Sequence, residues 1–267
     1  MTGSARQAVR EVRSSPVARG IARAGYAATG IVHLLVGVIG LVVAFGGEAE
    51  SDQSGALRAI AAVPLGFAAV WVLAGALWAL GLWHASSAFL VRGHDARSRW
   101  GVRLSESGQA LAFLALGTIA AAIALGARPD GDQTAQDTSR GILSLPAGAL
   151  LLGAVGLGIG VAGVVFAGIG ITRGFRKRVA VPAGAGGRAL TVLGVVGYVA
   201  KGTALVIVGI LLVVAAVTVD ADAAGGIDGA LDALRAMAFG PALVALISAG
   251  FIAYGLFCIA RARFARL

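Results

Sequence analysis

The sequence predicts an all-α integral membrane protein with six transmembrane helices, arranged as three parallel helical hairpins around a pseudo-threefold axis. Three observations predict this fold class. Hydrophobic residues make up 58% of the chain and charged residues 13%, against roughly 25% charged in an ordinary soluble domain. Six long stretches are almost free of charge, and a glycine pattern recurs in three parts of the chain. So much apolar side chain belongs in a bilayer rather than in one globular core.

The six apolar stretches are long enough to cross a membrane. As a helix, the first one, residues 24–47, spans about 36 Å, and a hydrocarbon core is about 30 Å thick. Apolar side chains fill every face of these stretches, which favours helices over the alternating strands of a barrel. Pro64 and Pro146 suit a first helical turn and are expected to lie near the start of their spans. The other stretches are residues 59–91, 107–127, 141–172, 189–219 and 236–260.

The loops between these stretches are sorted by charge. A basic arm, residues 1–22, and the loops after the second and fourth stretches hold most lysines and arginines. The other three loops hold these four of the 22: Arg58, Arg128, Arg140 and Arg235. They also hold most of the acids: Glu48, Glu50, Asp52, Asp130, Asp132, Asp137, Asp220, Asp222, Asp228 and Asp232. The positive-inside rule therefore predicts that both termini are cytoplasmic.

The net charge of +9 is explained by this orientation and calls for no nucleic-acid partner. We expect the basic cytoplasmic face to attract anionic lipids of the bilayer.

Glycine triplets divide the chain into three hairpin units, residues 23–91, 100–172 and 189–264, with two spans each. The triplets are Gly30, Gly108 and Gly202; Gly66, Gly148 and Gly240; and Gly81, Gly163 and Gly255. Each unit enters and leaves on the same side, so the copies are parallel, unlike the inverted repeats of many transporters. Short surface helices are predicted at residues 55–60 and 229–235.

Helix packing accounts for these glycines, because lipid gives helices no hydrophobic reason to associate and close backbone approach must replace it. In the fourth span, small residues recur with a seven-residue period, which is typical of a seam against a partner helix. They are Ala149, Gly153, Gly156, Gly160, Gly163, Ala167 and Gly170.

Two motifs carry a resemblance to a known family. Residues 25–30 read GYAATG, residues 197–202 read GYVAKG, and Gly-Ala-Leu segments begin at Gly55 and Gly229. The chain resembles the bacterial membrane proteins of the domain-of-unknown-function 1206 family over about residues 19–264. This resemblance implies six spans built from three two-helix units in the bacterial cytoplasmic (inner) membrane, and it transfers no activity. The family's basic residue before the last glycine of the motif is kept only at Lys201.

His33 and His84 form the candidate cofactor site. Each lies three residues after a shared glycine, Gly30 or Gly81, so both are expected on packed helix faces at a similar depth. Two such histidines can ligate haem or a metal ion, which would make the protein a haem-binding electron carrier. The alternative is a histidine that hydrogen-bonds across a helix seam.

Lys201, Thr29 and Ser107 occupy matching places in the three units and form a candidate cytoplasmic ring that meets an anion or an acidic lipid. Glu106 is a candidate partner of Lys201. The alternative is that the Lys201 side chain extends to the lipid headgroups.

The sequence contains no HExxH, GxSxG, phosphate-loop or CxxC motif, and its one cysteine is Cys258. We therefore expect no catalytic residue, no cofactor and no metal site. The favoured function is a non-enzymatic scaffold or accessory subunit that binds another membrane protein. The alternative is a channel or transporter for a small solute or ion along the threefold axis, lined by few polar residues. They are Thr29, Ser107, Thr118, Lys201, Thr203 and Ser248.

Overall fold

A computed structural model describes residues 15–47, 50–90 and 96–265. Within these ranges the chain forms nine α-helices and two short 3-10 turns, and its only β pairing is a bridge between Val179 and Ala265. The helices are α1 Pro16–Ala44, α2 Gln53–Ala61, α3 Gly66–Leu90, α4 Ala96–Ala124, α5 Gly131–Leu143, α6 Gly148–Ile171, α7 Gly184–Thr218, α8 Ile227–Arg235 and α9 Gly240–Phe264. The all-α prediction is confirmed. Residues 1–14 of the predicted basic arm lie outside the described ranges.

Six of the described helices are long and apolar enough to span a bilayer. They comprise Ala22–Ala44, Gly66–Leu90, Arg99–Ala124, Gly148–Ile171, Gly184–Thr218 and Gly240–Phe264. The protein is therefore a multi-pass membrane protein. The other three helices, α2, α5 and α8, lie in the connections after the first, third and fifth spans, and we call this end of the bundle the acidic end. The opposite end, which carries Arg178 and Arg261, is the basic end.

Each short helix leads into a span through the same kind of turn. The residue before the span has a left-handed backbone, with φ of 64° at Leu65, 59° at Ala147 and 62° at Phe239. The following glycine begins α3, α6 or α9, and a Cβ on it would overlap a backbone carbonyl of the preceding helix or turn. The predicted surface helices at residues 55–60 and 229–235 correspond to α2 and α8. The sequence did not reveal α5, because residues 131–140 are polar and read as a loop.

The tightest helix pairs join neighbouring hairpin units rather than the two helices of one unit. They are α1 with α9, α3 with α4, and α6 with α7. Weaker contacts of α1 with α3 and of α7 with α9 complete the bundle, in the spatial order α4, α3, α1, α9, α7, α6. No comparable contact joins α4 to α6 within the described residues. These two helices are therefore the ends of an open series.

Two glycine pairs show how close these helices come. A Cβ added to Gly163 would stand 2.6 Å from the carbonyl oxygen of Gly202, and the reverse distance is the same. Gly30 and Gly255 are related in the same way at 2.7 Å. Between α3 and α4, however, Gly81 faces Leu114, and a Cβ on Gly108 would meet nothing within 4 Å.

Gly108 therefore does not hold the contact position of Gly30 and Gly202. Gly255 approaches the backbone nitrogen of Leu34, and Gly163 that of Val206, each four residues after the partner glycine. Leu114, the corresponding neighbour of Gly81, lies four residues after Ala110. A threefold arrangement of the units around one axis stays a prediction.

The space between the helices is filled by apolar side chains. Val32, Val36, Leu57, Leu77 and Phe251 are fully buried and belong to one cluster that draws on α1, α2, α3 and α9. Smaller apolar clusters fill the α6–α7 and α7–α9 contacts.

Candidate functional site

Lys201 lies in contact with a histidine on another span. Its Nζ is 2.9 Å from Nε2 of His33, and Nδ1 of His33 is 2.8 Å from the carbonyl oxygen of Thr29. A carbonyl oxygen can only accept, so Nδ1 carries the hydrogen and Nε2 accepts from the ammonium group. Thr29 donates its own hydroxyl to the Gly25 carbonyl oxygen at 2.9 Å. Both ring nitrogens of His33 are therefore in use.

Aromatic rings surround the Lys201 ammonium. Its Nζ lies 4.6 Å from the ring centroid of Tyr254 and 5.6 Å from that of Phe166. The imidazole of His33 also packs against Tyr254, with the ring centroids 5.0 Å apart. Ring faces attract a cation, most strongly where water is excluded. This charge thus contacts an imidazole nitrogen and two π faces. We call Lys201, His33, Thr29, Tyr254 and Phe166 the lysine cluster.

His84 belongs to a second cluster, which joins α3 to α4. Its Nδ1 is 2.8 Å from Oε2 of Glu106, and the ring stacks on Phe113 with centroids 5.4 Å apart. Arg178, from the segment after α6, places Nη2 3.5 Å from Oε1 of Glu106. The Nε2 atom of His84 is buried and has no hydrogen-bond partner among the described residues. The histidine, the carboxylate and the guanidinium link three separate parts of the chain.

A third contact borders this second cluster. Arg261 of α9 donates Nη2 to the hydroxyl of Tyr26 at 3.1 Å, and its guanidinium lies 4.1 Å from the centroid of the same ring. Tyr26 also meets His84 edge to face, with centroids 6.4 Å apart. These contacts tie α1 to α9 at the basic end.

The two predicted ligand histidines are therefore placed in different clusters. Each is 3% exposed, but His33 contacts Thr29 and Lys201, whereas His84 contacts Glu106. Haem ligation needs a free nitrogen from each ring. The observed arrangement does not fit a bis-histidine haem site, since His33 has none. In the described part of the chain, no group of three or more His, Cys, Asp or Glu side chains is placed to hold a metal ion.

The predicted cytoplasmic ring is also divided. Thr29 and Lys201 are joined through His33, whereas Glu106 pairs with His84 and Arg178. Ser107 is exposed on α4. The sequence did not predict the contact of Lys201 with His33 or the ion pair of Arg178 with Glu106. The available signal was that Lys201 and His33 both lie within a few residues of motif glycines that pack tightly.

The remaining candidate path-lining residues lie in different surroundings, since Thr118 and Thr203 are exposed and Ser248 is buried. Thr118 and Thr203 each donate to a carbonyl of their own helix, at 3.0 and 3.1 Å. Ser248 is fully buried in α9, beside Gly40 of α1. The buried apolar cluster lies between these helices.

One face of α4 has no partner in the structure. Its members are small residues spaced alternately by four and three: Gly101, Ser105, Gly108, Ala112 and Ala115. All five are exposed, and a Cβ on either glycine would meet nothing within 4 Å. In α6, a series of small residues has the same spacing, and every second member of it, Gly156, Gly163 and Gly170, packs against α7. We call these five residues the α4 face.

The two end helices are also the least buried spans. Within the most apolar 18-residue stretch of each helix, the buried share is 17% in α6 and 33% in α4, against 56% in α1 and in α9.

Comparison with known proteins gives a family and one relative. A family model described as Domain of Unknown Function (DUF1206) matches the chain three times, at residues 24–90, 107–174 and 196–265. A protein of Bacillus subtilis (strain 168), described as uncharacterized protein YxxB, is 27% identical over 261 residues, which cover 92% of this chain and 90% of the relative. No solved structure gives a significant match.

Proposed function

The chain belongs to the DUF1206 family, and from that premise we propose that it is a non-enzymatic scaffold or accessory subunit of a complex in the bacterial cytoplasmic membrane, with both termini in the cytoplasm. Its partner is a transmembrane helix of a different membrane protein, which binds along the α4 face.

The observation that carries this proposal is the exposed α4 face at the open end of the helix series. Small residues let helix backbones approach closely, and within this protein the same spacing is used for the tight α6–α7 contact. A helix of similar small-residue spacing can therefore pack on Gly101, Gly108 and Ala112 without any rearrangement of the bundle.

Polar groups at the same face support a protein partner over lipid alone. Ser105 lies on the α4 face, and Gln109, at its edge, donates to the Ser105 carbonyl oxygen at 3.3 Å. Amide and hydroxyl groups within a span are costly against lipid tails and are used between helices.

The interior favours this function over the alternatives. A solute path needs a polar or hydrated lining. The helix interfaces are instead closed by glycine contacts and by buried side chains such as Val36, Leu77 and Phe251. A haem carrier is disfavoured because both nitrogens of His33 are engaged.

The test is a substitution that blocks the α4 face without disturbing the protein itself. Gly108→Leu introduces a side chain into open space, and Gly75→Leu does the same on α3 as a matched control. Both variants should keep the wild-type melting temperature. We expect a stoichiometric membrane partner to co-purify with the wild type and with Gly75→Leu, and to be lost from Gly108→Leu. Equal recovery from all three proteins would contradict the proposal.

A further inference from the structure

A groove at the acidic end is lined by both positively charged and apolar residues. It lies between the second half of α2 and the end of α4 and has a volume of about 470 Å³. Its lining consists of Arg58 and Arg128 together with Ala61, Ala62, Ile123, Gly126 and Ala127. The α4 helix ends at Ala124, and the left-handed Gly126, with φ of 93°, lies between it and Arg128.

The two guanidinium groups differ in their partners. Arg58 donates Nη1 to the Pro129 carbonyl oxygen at 3.4 Å and pairs with Glu50. Arg128 is exposed and has no ion pair or hydrogen bond with any described residue. The charged residues that line the groove and the ion-pair partner of Arg58 comprise two guanidinium groups and one carboxylate. They leave one net positive charge, which complements the single negative charge of a phosphodiester.

Exposed apolar side chains adjoin the groove along the chain. Val63 follows Ala62 and is 56% exposed, Leu65 is 87% exposed, and Leu125, just before Gly126, is 77% exposed. They lie where the apolar spans α3 and α4 meet the polar loops, which is the depth of lipid headgroups and of the first acyl carbons. A free anion would make no use of these apolar groups, whereas a phospholipid would.

The corresponding place in the second unit shows that this charge pattern is not a general feature of the fold. Arg140 precedes Gly148 by as many residues as Arg58 precedes Gly66. It pairs with two carboxylates, Asp137 at 2.7 Å and Asp222 at 2.9 Å, whereas Arg58 pairs with one, Glu50.

We propose that the groove binds a phospholipid headgroup, with the phosphate held between Arg58 and Arg128 and the acyl chains lying along Val63, Leu65 and Leu125. Guanidinium groups hold phosphate through paired N–H···O bonds. The site lies at the end of the bundle opposite the basic end, where we expect positive charge to attract anionic lipid.

The test is native mass spectrometry of the full-length protein in detergent, titrated with dioleoyl phosphatidylglycerol. We expect Arg128→Gln to weaken the tightest lipid adduct about tenfold, as the loss of a charged hydrogen bond implies. The matched control Arg140→Gln should bind as the wild type does. Equal affinities of the wild type and Arg128→Gln would overturn the proposal, and so would equal losses in the two variants.

Two further probes separate the possible ligands. Dioleoylglycerol, which has the acyl chains but no phosphate, should not form the Arg128-dependent adduct. Inorganic phosphate alone should not raise the melting temperature of the protein. An equally strong adduct with dioleoylglycerol, or an Arg128-dependent rise with inorganic phosphate, would contradict binding of a lipid phosphate.

Discussion

Gly163 of α6 and Gly202 of α7 lie backbone against backbone, since a Cβ on either would stand 2.6 Å from the carbonyl oxygen of the other. Gly30 and Gly255 repeat this relationship between α1 and α9. Each pair joins helices of two different family matches. The hairpin is therefore the unit of sequence repetition, but the tight helix pair that holds the protein together is formed between units.

Gly163→Val should destabilise the protein. The added side chain meets the backbone of α7, and overpacking of this kind costs about 1–3 kcal/mol. The melting temperature in detergent should fall clearly below that of the control Gly158→Val, which lies on the same helix with nothing within 4 Å. Equal melting temperatures would mean that α6 and α7 are not closely packed.

Lys201→Met should destabilise the protein by leaving Nε2 of His33 buried without a donor. Such an unsatisfied group costs about 1–3 kcal/mol. The matching place in the third unit holds Leu205, so His33→Leu is a tolerable change of shape. The double variant should lose less stability than the sum of the losses in the two single variants, because both substitutions remove the same interaction. Strict additivity in thermal unfolding would show that the two side chains do not interact.

Stability should decrease as the pH rises from about 4 to about 6. Burial, together with the neighbouring charges of Asp132, Asp232 and Asp52, raises the pKa of Asp228 to about 6, although the Ser51 N–H opposes this. Burial also raises the pKa of Asp52. The folded protein therefore binds more protons than the unfolded chain between pH 4 and pH 6. The stability gained from these protons is lost as they dissociate.

Asp228→Asn should flatten this dependence and raise the melting temperature at pH 7. The amide oxygen still accepts from Ser51 N–H, and the repulsion among the carboxylates decreases. The control Asp137→Asn, on an exposed carboxylate paired with Arg140, should keep the wild-type pH profile. A wild-type melting temperature that rises between pH 4 and pH 6 would have the wrong sign for this explanation.

The spans could be predicted from the sequence because each is a long apolar run with few charges, and a visible glycine triplet, Gly66, Gly148 and Gly240, marks the start of the second, fourth and sixth spans. The left-handed residues before these glycines were not predicted. Helix neighbours could not be predicted. The small-residue seam of the fourth span marked a packed face, but it did not show which helix packs there, because side chains that face lipid and side chains that face another helix are both apolar. The pairing of Lys201 with His33 depends on α1 and α7 approaching at one depth, which only the structure reveals.

The proposed role depends on a partner helix along the α4 face, and site-specific photocrosslinking in native membranes tests it most directly. A photoreactive residue placed at Ala112 should give one discrete adduct with another membrane protein, and the same residue at Gly75 should give none. Adducts at Ala112 with lipid only, or with a second copy of this chain, would contradict the proposed scaffold or accessory subunit.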